Sequence, residues 1–403
     1  MQIGHQETAR SVIPRCDEKA NLRAQYRRGL QANNELRGSR RLAMQDVSAK
    51  TSGMDRRVVG LDVGDRKTHV CELSTASGDV LAESSMTTTR DSVRAFFEGK
   101  ERMRVVLEVG KQSPWMSRLI ARFGHEVLVA NARKVSLIFK TRRKRDRVDA
   151  QKLARLGRVD PELLYPIQHR GEEAQHDLSI LRSRECVMES RTKLINHARG
   201  VAKSSGYRLP KCDAKCFANR MRGAIPEPLR PALDPVVEMI GALTQTIKAY
   251  NKQLEELAKT KYAQSELLTR IHGVGLITSM AFLLVIEDPK RFQKSRTVGA
   301  YLGLVPALDD SGDCHRQLHI SKEGDRLLRG VLLQSAHYMM GPFGKDCDLR
   351  RHGERIVAAG GERAKRRAVV AVARKIAVLL HRLWLHGEDY DPFFNSADAV
   401  EAA

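Results

Sequence analysis

The run Val58-Val59-Gly60-Leu61-Asp62-Val63-Gly64 constrains this chain more than any other stretch. Four apolar or small residues in succession make a buried strand, and the glycine after Asp62 and Val63 ends it in a turn. An aspartate at the end of such a strand is costly beside an apolar core unless it is paired or binds a metal. A second run, Val105-Val106-Leu107, closes on Glu108 in the same way. Around these two the pattern alternates. Strands are predicted at 57–61, 68–73, 80–86, 104–108 and 126–129, and helices at 90–98, 113–123, 131–138 and 148–156, with Gly124 as a C-cap. Hairpins followed by β-α-β-α units predict an α/β domain with a mixed sheet.

Asp146 and Asp149 are three residues apart and share one face of a helix. Carboxylates at two strand ends and on a nearby helix are the donors that hard divalent cations prefer. Two Mg²⁺ ions roughly 4 Å apart clamp the attacking and leaving oxygens of a phosphoryl transfer. The rest of the chain suits a polyanionic substrate: 70 Lys and Arg against 48 Asp and Glu give a formal charge of +22 over 403 residues. The patch Lys140, Arg142, Arg143, Lys144 and Arg145, with Arg147 beyond it, abuts the proposed ligand Asp146 and reads as nucleic-acid contact.

Other chemistries are weaker. Gly60-Leu61-Asp62-Val63-Gly64 also resembles the first phosphate loop of sugar-kinase or actin-like ATPases, but no second Asp-x-Gly loop or Gly-Gly adenosine loop follows. Of the seven cysteines, Cys212 with Cys216 and Cys314 with His315 and His319 have partial zinc spacing, without a matching second ligand pair. No stretch approaches the roughly 20 apolar residues of a membrane span. With no signal-peptide apolar region either, the chain is expected in the cytoplasm, away from membranes.

Residues 1–54 hold ten Lys or Arg against five Asp or Glu and read as a disordered basic extension, with Met54 as an alternative translation start. The α/β domain is expected over 55–160. Residues 161–262 read as a helical linker of coiled-coil or dimer-arm type, from Leu178, Leu181, Val187 and Leu194 and from Ile240, Leu243, Ile247, Leu254 and Leu257. A third domain, 263–345, opens on a helix-hairpin-helix-like Ile271-His272-Gly273-Val274-Gly275, and a helix and tail fill 346–403. Asp309-Asp310-Ser311-Gly312 is expected to be a polar turn. Lys322, Arg326 and Arg329, with Arg316 and His319, lie downstream as phosphate contacts.

Taken together, these residues resemble the DEDD transposases of bacterial insertion sequences, the insertion-sequence one-ten family, related to the Piv invertases. Two ordered blocks carry the likeness. The first is Gly60-Leu61-Asp62-Val63, Leu107-Glu108-Val109-Gly110, Gly124-His125-Glu126-Val127 and Asp146-Arg147-Val148-Asp149-Ala150. The second is Ile271 to Gly275, Tyr301-Leu302-Gly303-Leu304-Val305-Pro306, Ser311-Gly312 and the segment Ile320 to Arg329.

The resemblance implies a RuvC-like (RNase H-like) N-terminal domain in which Asp62, Glu108, Asp146 and Asp149 bind Mg²⁺. It also implies a mainly α-helical C-terminal transposase domain with Ser311 as nucleophile. The implied partners are element and target DNA, a non-coding bridge RNA that pairs with both, and further copies of the chain in a dimer or tetramer. The implied chemistry is a 5′-phosphoserine link, strand exchange and resolution of a Holliday junction. Val109-Gly110-Lys111-Gln112 and Asp313-Cys314-His315 depart from the family pattern. Two rival readings remain: a RuvC-like junction endonuclease that uses water alone, and an inactive nucleic-acid-binding relic.

Overall fold

A computed structural model describes residues 57–138, 146–311 and 314–394, with the backbone alone at 136–138, 146, 308–311 and 314–317. The basic extension 1–54 and the patch Lys140 to Arg145 lie outside the described residues. The chain divides into two compact units between His169 and Arg170.

The first unit is built on a five-stranded sheet in the order β3-β2-β1-β4-β5. Strands β1 (Arg57–Val63), β2 (Lys67–Ser74) and β3 (Val80–Thr87) form an antiparallel meander. Helix α1 (Arg90–Phe97) then leads to β4 (Arg104–Glu108), α2 (Ser113–Arg122) to β5 (Glu126–Ala130), and both of these strands run parallel to β1. Helix α3 (Ala132–Ile138) and helix α4 (Asp146–Val159) complete the unit. Gly124 has φ +87°, the left-handed conformation a helix C-cap requires.

Side-chain alternation gives the sheet two cores. Val59, Leu61, Val105 and Leu107 face α1 and α2, where Val93, Phe97, Met116 and Ile120 pack against them. Val58, Cys71, Leu73 and Val106 face the opposite way, onto Ala150, Leu153 and Ala154 of α4. This two-sided burial explains why β1 and β4 are continuous apolar runs without polar alternation.

The second unit is mostly helical. Two long helices, α5 (Glu172–Ser204) and α7 (Arg230–Thr260), flank the short α6 (Phe217–Met221). They pack antiparallel within one chain. Leu178 and Leu181 share a core with Leu254 and Ala258, and Ile195, Ala198 and Ala202 share another with Leu233, Val237 and Ile240. Phe217 and Met221 fill the second core, so the linker does have a private core of its own. Between the two apolar zones the contact turns polar. Arg184 donates to Asn251 at 2.6 Å and Arg191 to Thr244 at 3.4 Å.

Helices α8 (Gln264–Thr269) and α9 (Leu276–Ile286) follow, joined through Gly273 at φ +86°, as the hairpin-like motif leads one to expect. Helix α10 (Arg296–Tyr301) precedes a hairpin of β6 (Pro306–Ser311) and β7 (Cys314–Ile320). Helices α11 (Arg326–Met340), α12 (Asp348–Ala358) and α13 (Ala364–His386) finish the unit around α9, which is buried from Thr278 to Ile286. One core joins Leu178, Leu254, Ile271, Phe282, Leu332, Ile376 and Trp384, and so crosses the boundaries expected at 262 and 345. No helix among the described residues is long and apolar enough to cross a membrane.

Candidate active site

Asp62 and Glu108 fall at one end of one sheet face, and Asp149 lies on the helix that covers it. Strands β1 and β4 run parallel with Leu61 level with Leu107, so Asp62 and Glu108 are the next residues on neighbouring strands. Since Leu61 and Leu107 bury toward α1 and α2, strict alternation assigns Asp62 and Glu108 to the face that α4 covers. His69 of β2 is paired with Asp62 in the antiparallel register and belongs to that face too. Sequence reading missed it, because only the strand register brings it beside the acid.

Helix α4 lies on the sheet with almost no gap. A Cβ on Gly60 would meet the Ala150 carbonyl oxygen at 2.0 Å, and one on Gly157 would meet Val106 Cγ2 at 2.3 Å. The helix therefore runs opposite to β1, its end over Val58 and Val106 and its middle over Gly60. Its sheet-facing stripe, read backward, is Gly157, Ala154, Leu153, Ala150 and Asp149, with Asp146 three residues further along the backbone. The two aspartates continue this stripe past Gly60 toward the strand positions of Asp62 and Glu108. They also occupy the first turn, where the helix dipole favours negative charge.

Asp62, Glu108 and Asp149 are half-buried, and Asp149 pairs with Lys152 at 3.0 Å. Among the described residues no three His, Cys, Asp or Glu side chains gather closely enough to hold a metal ion, and the side chain of Asp146 lies outside them. The set Asp62, Glu108 and Asp149, with Asp146 one turn away, supplies only carboxylate oxygens, which fits a hard divalent cation better than zinc. Cys212 and Cys216 gather no such group among the described residues, and the side chains of Cys314 and His315 lie outside them.

Two supports behind the acids were not legible in the sequence. Ser113 Oγ donates to the Gly110 carbonyl at 2.8 Å, accepts from the Gly110 N–H at 3.0 Å and contacts His169 Nε2 at 2.9 Å. That clasp fixes the loop immediately after Glu108. On the neighbouring strand Cys71 is buried, and burial together with the nearby Glu83 pushes its thiol up to about 11.

In the second unit Ser311 ends β6, paired with Cys314, so the ladder extends through Asp309 and Asp310. The polar turn expected at 309–312 is thus a strand up to Ser311, because cross-strand bonding to β7 outweighs the poor strand preference of these residues. Among the basic residues, Arg147 is exposed and pairs with Glu83. Arg326 is exposed and lies 3.8 Å from Glu189. Lys322 is exposed at φ +56°. Arg329 Nη1 donates to the carbonyls of Leu302 at 3.1 Å and Glu323 at 2.7 Å, which ties two loops together.

Comparison with known families matches both halves. Residues 59–205 match the DEDD transposase family and residues 265–346 match the family described as "Transposase IS116/IS110/IS902 family". The chain is 28% identical over 255 residues to the transposase for insertion sequence element IS1111A of Coxiella burnetii, covering 61% of this chain and 68% of that protein. It is 26% identical over 287 residues to the transposase for insertion sequence element IS1328 of Yersinia enterocolitica, covering 70% and 84%. A pilin gene-inverting protein of Moraxella lacunata is 27% identical over 129 residues, covering 32% and 39%.

A mixed-sheet DEDD unit followed by a helical transposase unit defines a DNA transposase, an enzyme of recombination. The chain carries the two domains that family models assign to insertion-sequence transposases of the IS110/IS116 type.

Proposed function

We propose that this transposase exchanges DNA strands as an RNA-guided serine recombinase. The observation that carries the reading is the level placement of Asp62 and Glu108 at the ends of parallel strands, under the helix that opens with Asp146 and Asp149. The sheet order β3-β2-β1-β4-β5, antiparallel then parallel, supports a RuvC-like, RNase H-like character for residues 55–160.

Asp62, Glu108, Asp146 and Asp149 are the residues to hold Mg²⁺, which when bound neutralises charge developing on a reacting phosphate. Lys152 holds Asp149 in place until then. Ser311 is the nucleophile. Its Oγ forms a bond to a DNA phosphorus and the bond to the 3′-oxygen breaks; the serine proton passes to a base, which returns it to the 3′-oxygen as that departs as a hydroxyl. The product is a 5′-phosphoserine link that a second 3′-hydroxyl reverses after strand exchange.

Sequence choice falls to base pairing of a bridge RNA with donor and target DNA, in line with other guided systems. A chain of net charge +22 suits two nucleic-acid partners. Lys140, Arg142, Arg143, Lys144, Arg145, Arg147, Lys322 and Arg326 are the proposed backbone contacts, and Arg329 contributes by holding its loop. The hairpin of α5 and α7 serves as the arm through which two or four copies assemble in the cytoplasm.

The test is covalent trapping. The protein is co-expressed with the non-coding DNA flanking its gene, then mixed with Mg²⁺ and end-labelled element-junction DNA and run on a denaturing gel. A protein–DNA adduct that vanishes in Ser311→Ala supports the serine mechanism. Cleavage without an adduct replaces it with hydrolysis by water.

A further inference from the structure

Within the second unit, a groove of about 1420 Å³ opens between α13, α12 and the base of the β6–β7 hairpin. One side is cationic. Arg296, Lys322, Arg366, Arg374 and Lys375 line it, all are exposed, and among the described residues none of the five forms an ion pair. Arg366 to Lys375 span nine steps of α13, about 14 Å at 1.5 Å per residue. Arg374 is held upright because its stem lies against Gly299, where a Cβ would meet Arg374 Cγ at 2.8 Å.

Three carboxylates share the lining with these cations. Glu362 pairs with Arg363 at 3.0 Å, and Asp391 accepts from the Phe393 N–H at 2.8 Å. Asp348 is the third. His352, on the α12 side, is held below its ordinary range by burial first and then by Lys375 and Arg355.

The floor is of another kind. Leu304, Leu318, Ile320, Val370 and Leu379 form it, and Leu318 is 52% exposed. A duplex offers phosphates to the cations but no apolar face to a recessed floor. An unpaired strand offers both, since its phosphates reach the cations while base faces cover apolar side chains. Small anions have no use for such a floor.

We infer that this groove holds an unpaired stretch of DNA, with phosphates on Arg366, Arg374 and Lys375 and bases against Leu318 and Ile320. The inference rests on the strand-exchange reading and names where a melted strand lies. Strand β7 carries Leu318 and Ile320 and begins at Cys314, the partner of Ser311, so these two floor residues and Ser311 share one hairpin about 20 Å long.

The experiment measures binding, not cleavage. The full-length chain and its R366Q/R374Q/K375Q variant are titrated with fluorescent dT20, a 20-base-pair duplex and rU20 at several salt concentrations. Loss of dT20 affinity by tenfold or more is expected, with the salt slope shallower by about 2, at roughly 0.7 per phosphate contact. Duplex and rU20 affinities should change less than threefold. Leu318→Ser should weaken dT20 several-fold at an unchanged slope. Equal losses on the duplex would reduce the groove to a general cationic surface, a larger loss on rU20 would reassign it to RNA, and unchanged dT20 binding would remove it; each outcome overturns the inference. Unfolding midpoints show that the variants are folded. Because adduct formation at Ser311 is scored separately, the strand-exchange reading and the groove can fail independently.

Discussion

Gly60 shows how much a single residue decides. With the Ala150 carbonyl 2.0 Å from where a Cβ would stand, no side chain fits, and α4 reaches the sheet only because glycine is there. Gly60→Ala is expected to destabilise the first unit by about 1–3 kcal/mol through overpacking, and to lift the acidic end of α4 from the strands. Thermal unfolding together with cleavage rate checks this; full activity at an unchanged midpoint would mean that α4 is not seated as described.

Asp62→Asn should lower cleavage at least about 100-fold, since a metal contributes several kcal/mol to such a step, while nucleic-acid binding stays nearly unchanged. A normal cleavage rate in that variant would sink the metal assignment. His381 provides a pH prediction. It is buried, with Nε2 on the Pro289 carbonyl at 2.7 Å and Nδ1 beside Ser295 Oγ at 2.9 Å, and burial holds it below its ordinary range. Its folded value is depressed, so its contribution to stability is present above the unfolded value of about 6.5 and is lost as pH falls below it. Denaturant midpoints between pH 7 and 5 should fall in the native chain, and His381→Gln should flatten the fall.

At the scale of elements, strands and helices of the first unit were legible because their apolar periodicity is strong and their ends carry Gly or an acid. Strand β6 was not. Nothing local in Asp309-Asp310-Ser311 favours a strand, and only pairing with β7 supplies one. The long helices were legible as helices, but their mutual packing was not, because α5 and α7 each carry apolar residues that would equally suit a second chain. Phe217 and Met221 settle the matter by filling the distal core. Leu233→Ala should cost about 2–5 kcal/mol there and loosen the hairpin tip, which hydrogen exchange over 195–240 would read. At the other end of the hairpin, the buried Asp177 accepts from Tyr262 Oη at 2.9 Å and from Lys261 at 3.4 Å. Tyr262→Phe should cost about 1–3 kcal/mol by leaving that carboxylate short of a partner.

Over the whole molecule, the sequence by itself determined the chemistry on offer. Its net charge of +22, the acids after buried strands and two ordered motif blocks marked a nucleic-acid-processing enzyme before any fold was in hand. These are local properties, carried by composition and by residues within a few positions of each other. Tertiary structure decided which acids share a face, since the level of Asp62 with Glu108 depends on a register between strands 46 residues apart (108 − 62). It also decided that one core unites residues of the expected linker, the expected third domain and the C-terminal helix, and that Leu318 and Arg374 line a common groove. Such relations depend on which distant surfaces bury one another, and a chain fixes that only when it folds.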